Sequence, residues 1–153
     1  MSADIVIGVD LGTTATKAVA FSAAGEEVAS AARGYPLAEP HPGHAVKDPN
    51  LIWDAVLATV REVAEAVGAA RVAGLSFSTA MHSVLGLDAA LAPLTAVVTW
   101  ADTRAAAQAE RLRASAGGLA LHRRTGTPIH PMSPLTKLMW FREQEPELRR
   151  RVA

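Results

Sequence analysis

No cysteine occurs among the 153 residues. That absence excludes disulfide bonds, thiolate metal sites and a cysteine nucleophile together, and it is compatible with a reducing cytoplasm, the expected compartment. Charge of one sign is also missing. Fifteen basic residues balance fifteen acidic ones, so the chain offers no field that would draw nucleic acid or an anionic membrane surface. Long apolar runs are absent too. The segment Met-Ser-Ala-Asp carries no basic residue ahead of the first apolar stretch, which is only a strand long and is interrupted by Gly8 and Asp10. Neither a signal peptide nor a membrane span is expected from it. The two commonest nucleotide-binding signatures, Gly-x-x-x-x-Gly-Lys-Ser/Thr and Gly-x-Gly-x-x-Gly, do not occur, and neither do internal repeats or low-complexity linkers.

Half of the chain is apolar, which at this length suits one domain with a real core. Its most informative stretch comes early. Ile5, Val6, Ile7 and Val9 form a short β-branched run that reads as a buried strand, and it ends in an acid, a glycine and several hydroxyls. Gly12 permits a tight turn whose backbone N–H groups can face an anion, and Thr13, Thr14 and Thr16 add neutral donors. Asp10 suits Mg²⁺, a hard cation shared between carboxylates and substrate phosphates. Lys17 supplies a point charge for a terminal phosphate. The bland reading of the same residues is a hairpin with a Gly-Thr turn and no ligand.

Further along, residues 18–21 and 27–34 read as strands that complete an antiparallel meander. Residues 35–49 hold four prolines and form an irregular loop. Asp48-Pro49 is a helix start, and Ile52, Trp53, Val56, Leu57, Val60, Val63, Ala64 and Val67 follow at helical spacing as a core stripe, with Trp53 in its middle. Gly68 stops the helix. Residues 72–78 read as a buried strand, and a helix before it implies a crossover in an α/β layer. Residues 84–88 and 94–99 read as two further strands, 104–115 as a helix broken at Gly117-Gly118, 119–124 as a short helical turn, and 135–143 as a last helix.

Ligands in such sheets gather beyond the C-terminal ends of the strands. Three segments lie there: Ser78 to Ser83, Trp100 to Arg104, and Thr125 to Ser133, the last rigidified by prolines. Singly, each residue has a plain role. His82 reads as a satisfied buried histidine, Asp102 as a cap for the following helix, Arg104 as a solvated first-turn residue, and Trp100 and Met132 as packing.

Together these segments say more. The opening strand, turn and second strand resemble those of the sugar kinase, Hsp70 and actin superfamily. The ordered series Asp10-Leu-Gly-Thr-Thr, Ser78-Thr-Ala-Met-His-Ser, Thr99-Trp-Ala-Asp-Thr-Arg and Thr125-Gly-Thr-Pro-Ile-His-Pro-Met-Ser-Pro-Leu-Thr-Lys-Leu resembles the first domain of the FGGY carbohydrate kinases over essentially the whole chain. Within that family the segments are most similar to those of gluconate kinases. The resemblance implies an α/β domain of the ribonuclease H-like class, with a mixed sheet flanked by helices. Residues 1–153 would be the N-terminal domain of a two-domain kinase whose C-terminal nucleotide-binding domain, adenine pocket and general base lie outside the chain. It implies ATP and Mg²⁺ as cofactors, gluconate as the substrate and 6-phosphogluconate as the product.

Residue by residue, the resemblance puts Asp10, Gly12, Thr13, Thr14 and Lys17 around Mg²⁺ and the phosphates. Met81, His82, Trp100 and Asp102 would line the sugar, with Arg104 as a partner for a sugar acid's carboxylate. A polyol needs hydrogen-bond partners around several hydroxyls and an aromatic face over its C–H edge, which suits this set. Val46-Lys47 departs from the Glu-Gln usual in relatives, so no role is carried to that loop. Xylulose, ribulose and glycerol are the rival substrates within the family, and a homo-oligomer is compatible with it. A stand-alone domain that binds a sugar or a protein without catalysis is the reading from outside the enzyme class.

Overall fold

The computed structural model describes residues 3–152, so that Met1, Ser2 and Ala153, which the expectations for the N-terminal segment and for a domain over 1–153 include, lie outside the described residues. The chain divides into two compact units. One holds the residues up to Leu37 together with Lys47–Ala80, and the other holds Ala38–Val46 together with Met81 onward.

The first unit is built on strands β1 (Ile5–Leu11), β2 (Ala15–Phe21) and β3 (Glu27–Gly34); after the two-residue strand β4 (Val46–Lys47) come helix α1 (Pro49–Val67) and strand β5 (Val72–Thr79). The sheet order is β3-β2-β1-β5, with β1 antiparallel to β2 and parallel to β5. The expected mixed sheet is therefore present. Ile5, Ile7 and Val9 alternate onto one face, where they meet Ala18, Ala20, Ala31 and Val63 of α1 in a buried cluster. The alanines of β2 and β3 leave room for the helix to lie close. Asp48 caps α1 by accepting from the Asn50 amide at 2.8 Å, Pro49 opens it, and Gly68 ends it at φ 82°.

Three expectations are corrected in this unit. The strand over 72–78, expected to be buried, is the edge strand β5, with Leu75 47% and Phe77 56% exposed, because only β1 pairs with it. Trp53 is 61% exposed and Leu57 is exposed as well, whereas Ala55, Val56, Thr59 and Val63 are buried. The face that meets the sheet is narrower than the apolar stripe, and position 53 lies about 100° around the helix from 52 and 54, outside it. Strand β2 also begins three residues earlier than the sequence suggested. Thr16 is thereby placed inside the sheet, fully buried, with its hydroxyl donating to Tyr35 Oη at 3.4 Å, and it is not a donor of the turn.

The second unit has little regular sheet. Strand β6 (Val97–Val98) pairs with β4, and the expected strands 84–88 and 94–99 reduce to isolated bridges, Val84 with Val98 and Leu87 with Pro93. Their connection closes too tightly for longer strands, because the Asp88 carboxylate accepts from the amides of Ala90 and Ala92, and Leu91 adopts φ 63°. Helices α2 (Ala106–Ala114), α3 (Gly118–Thr125) and α4 (Pro134–Gln144) follow as the sequence indicates, and α5 (Pro146–Arg151) adds a turn and a half that it did not. Among the described residues no helix is long and apolar enough to cross a membrane.

Candidate functional site

In the first unit Asp10 stands near the C-terminal end of β1, exposed, opposite Lys17 on β2 and Ser78 on β5 in the sheet register. These three residues and Gly8, Phe21 and Ser76 line a shallow depression of about 260 Å³. The turn that follows is tied down from several directions. The Gly12 amide donates to the Ala15 carbonyl at 2.9 Å, the Ala80 amide to Leu11 at 3.0 Å, and the Tyr35 amide to Thr14 at 3.0 Å. The Gly12 carbonyl accepts twice, from Tyr35 Oη at 2.9 Å and from Lys47 Nζ at 3.0 Å. The carbonyls of residues 11, 12, 14 and 15 are thus all engaged within the unit, which removes the groups that would repel a phosphate. In a trans peptide the carbonyl and the following N–H point in opposite directions, so the Gly12 bonds also orient the Thr13 amide. Glycine at 12 avoids a tight approach, since a Cβ there would lie 3.0 Å from the Ala15 carbonyl and 3.4 Å from Asp10 Oδ2.

The donor set at Asp10 suits a magnesium ion. Among the described residues no group of three or more His, Cys, Asp or Glu side chains could hold a metal by itself. A single exposed carboxylate is what a cation needs when it keeps waters and takes its other ligands from phosphates.

In the second unit Met81 and His82 form a turn, and His82 adopts φ 62°, a left-handed conformation uncommon for a residue with a Cβ. Met81 is 69% exposed and Trp100 is 46% exposed. His82 is half-buried, and it lines a cleft of about 300 Å³ with Leu112, Thr125, Thr127, Pro128, Ser133 and Leu135. The histidine and the proline-rich segment therefore share one wall, as their joint appearance in the sequence suggested.

Asp102 and Arg104 lie differently from the expectation. The Asp102 carboxylate is fully buried and accepts from the Ala45 amide at 2.8 Å, the Arg104 amide at 3.1 Å, Arg104 Nε at 2.9 Å and Arg104 Nη2 at 2.8 Å. The Arg104 guanidinium also stacks over the Trp140 ring at 4.9 Å. Each charge is spent on the other, so the pair would have to open before either met a sugar. Asp102 does not cap α2 either, because the residue ahead of that helix, Ala105, makes no side-chain cap bond. Burial acts to push the Asp102 carboxyl up, but the hydrogen bonds from Arg104 and the two backbone amides outweigh it and hold the group below its ordinary value. Arg104 also lines a cleft of about 400 Å³ with Val46, Leu94, Val98, Trp140 and Leu148, and none of the other residues expected at the phosphates or the sugar lies on it.

Sequence reasoning passed over three residues that hold these loops. Tyr35 and Lys47 grip the turn after Asp10. Lys137 of α4 is completely buried and donates to the His82 and Thr99 carbonyls, both at 2.7 Å, thereby tying together the backbones on which Met81 and Trp100 sit. Burial lowers its ammonium to about 8, with Asp102 acting against that shift and Arg104 adding to it. The sequence signal was present, since a lysine inside the most specific motif of the chain is out of place on a buried helical face.

The fold defines an α/β protein with a mixed sheet flanked by helices and a glycine turn at a strand's end. Residues 5–153 match the model for the FGGY family of carbohydrate kinases, N-terminal domain, and the chain belongs to that family. It is 41% identical over 143 residues to a gluconokinase from Bacillus subtilis strain 168, a match that covers 94% of this chain and 28% of the relative. Two solved structures from Lactobacillus acidophilus, one named a gluconate kinase and one a ligand-bound xylulose kinase, are each 37% identical with a TM-score of 0.90. Each match covers 97% of this chain and 30% of the other. The chain thus spans about three-tenths of the length of these proteins. These neighbours have the ribonuclease H-like fold of the sugar kinases, and the expected fold class holds.

Proposed function

We propose that the chain is the N-terminal part of an ATP-dependent kinase that phosphorylates gluconate to 6-phosphogluconate. The phosphate half of this reading is carried by one observation, the turn after Asp10 whose carbonyls at residues 11, 12, 14 and 15 are engaged within the unit. Asp10 would hold Mg²⁺, with Gly12, Thr13, Thr14 and Lys17 at the nucleotide's phosphates. The ion's contribution when bound is to neutralise charge on the transferring phosphoryl group. Phosphoryl transfer depends mainly on positioning and electrostatics, and those are what a turn fixed by the sheet provides. On the sugar side Met81, His82 and Trp100 would face the substrate, with Asp102 and Arg104 behind them as the ion pair that keeps the Trp100 loop in place. The general base, the adenine pocket and the C-terminal nucleotide-binding domain are assigned to the rest of the kinase.

Gluconate is preferred because of the 41% identity to a gluconokinase. Xylulose is the second reading, favoured by the equal structural match to the xylulose kinase. The deciding experiment assays the purified full-length protein with ATP against gluconate, xylulose, ribulose and glycerol. Highest kcat/KM on gluconate with 6-phosphogluconate as the product supports the proposal. A preference for xylulose selects the second reading, and sugar binding without turnover selects a non-catalytic domain.

A further inference from the structure

Lys47 is a charged side chain in the interior of the first unit, only 4% exposed. Its Nζ lies 3.0 Å from the Gly12 carbonyl and 5.1 Å from the centre of the Tyr35 ring. No carboxylate pairs with it among the ion pairs of the described residues, and burial lowers its pKa. A hydrogen bond to one carbonyl does not require a charge. A buried ammonium without an anion carries a desolvation penalty that a neutral amide would avoid. The Tyr35 ring face attracts the charge weakly, a fuller partner arrives only with something negative nearby, and the turn whose Gly12 carbonyl it bonds is followed by the strand that carries the exposed Lys17.

We propose that Lys47 is a positioning residue for a phosphate-bearing ligand: it fixes the Gly12 carbonyl by its hydrogen bond and holds a counter-charge that the ligand's phosphates complete. The inference rests on reading the Asp10 turn as a phosphate site. It goes beyond that reading by making nucleotide affinity depend on a residue that touches neither nucleotide nor sugar. The two roles separate by substitution, since Lys47→Gln keeps a donor and loses the charge, whereas Lys47→Met loses both.

The test titrates the full-length protein and both variants with MgATP and, separately, with gluconate in a calorimeter, after thermal melts have established folding. Lys47→Gln should weaken MgATP binding by about tenfold and leave gluconate affinity as in the wild type, and Lys47→Met should weaken MgATP further. Unchanged MgATP affinity in Lys47→Gln, or a parallel loss for gluconate, overturns the proposal. If Lys47→Met does not fold, Lys47→Gln carries the test alone. If the wild-type protein binds no MgATP, the kinase reading fails by itself and inorganic phosphate becomes the probe. Phosphate should then raise the melting temperature of the wild type more than that of Lys47→Gln, and an equal or absent rise in the two overturns the proposal.

Discussion

Around Asp10 the backbone is held by a sheet, and around Trp100 it is held by charges. The first unit gives Asp10 and Lys17 a ladder of strand pairings on both sides, so these side chains are left exposed and available. The second unit has a two-residue strand and isolated bridges, and its irregular loops are fixed by the buried Asp102–Arg104 pair and by Lys137 reaching two carbonyls. The difference teaches that a polar side chain near a site has two possible employments. It can serve a ligand where regular hydrogen bonding already settles the backbone, and it is spent on the backbone where regular hydrogen bonding is lacking.

The sharpest way to break the comparison is Asp102→Asn. If Asp102 holds the loop, removing its charge strands a guanidinium whose side chain is 9% exposed and costs about 3–5 kcal/mol, read by urea unfolding. The pH dependence has a definite sign. The folded carboxyl is held below its ordinary value, so its stabilisation is present above pH 3.8 and is lost as pH falls through the lower folded value, a loss the variant should not show. A stable Asp102→Asn that binds sugar poorly would restore the role as a direct sugar ligand.

Asp10→Asn should behave in the opposite way. In the full-length kinase we expect a fall in kcat of roughly 100-fold or more, the scale for losing a preorganised electrostatic group, while the melting temperature and calorimetric gluconate affinity stay near wild type. Strongly weakened gluconate binding would move Asp10 from the phosphate side to the sugar side.

Lys137→Met comes next. It leaves two buried carbonyls without their donor and should cost about 1–3 kcal/mol at neutral pH, with a higher KM for sugar. The folded ammonium titrates near 8 against 10.5 for the free side chain. Between those values the unfolded chain holds a proton that the folded chain has released. Stability should therefore rise with pH across that window, by at most ~1.4 kcal/mol per pH unit, and Lys137→Met should flatten the rise.

The smallest effect is expected at His82→Gly. Removing the Cβ relieves a residue at φ 62° and should stabilise the chain by up to about 1 kcal/mol, while sugar affinity in the full-length kinase falls. Affinity unchanged beside higher stability would make His82 a loop residue only.

How much was legible follows the same division. The meander, the Asp48-Pro49 start and the Gly68 stop were readable because period-2 alternation, capping chemistry and glycine act over a few residues. Trp53 was misread because a periodic stripe reports which residues are apolar, and the width of the contacting face depends on what lies opposite. The strands at 84–88 and 94–99 were overestimated because an apolar run says nothing about whether its partner continues alongside. At the site, the residue types that handle phosphate and sugar stood out by motif. Tyr35 and Lys47 did not, since each acts on a carbonyl that is distant in the chain and carries no side-chain signature, and Lys137 was legible only as a lysine out of place within a motif. For the same reason the Asp102–Arg104 pair looked like two ligands.

The parallel pairing of β1 with β5 joins residues nearly seventy positions apart, and this matters while the chain is being made. Strands β1 to β3 fold back on one another locally, whereas the second edge of β1 must wait for residues 72–79, several seconds later at about 5–20 residues per second. Through that interval the nascent chain presents the edge of its most apolar strand to whatever is nearby, the kind of template that invites pairing with a neighbour. Helix α1, emerging between the two events, shields the face of the sheet and leaves that edge bare. Expression yield and chaperone dependence should therefore respond to substitutions in β5 that slow its docking, even where the finished protein is no less stable.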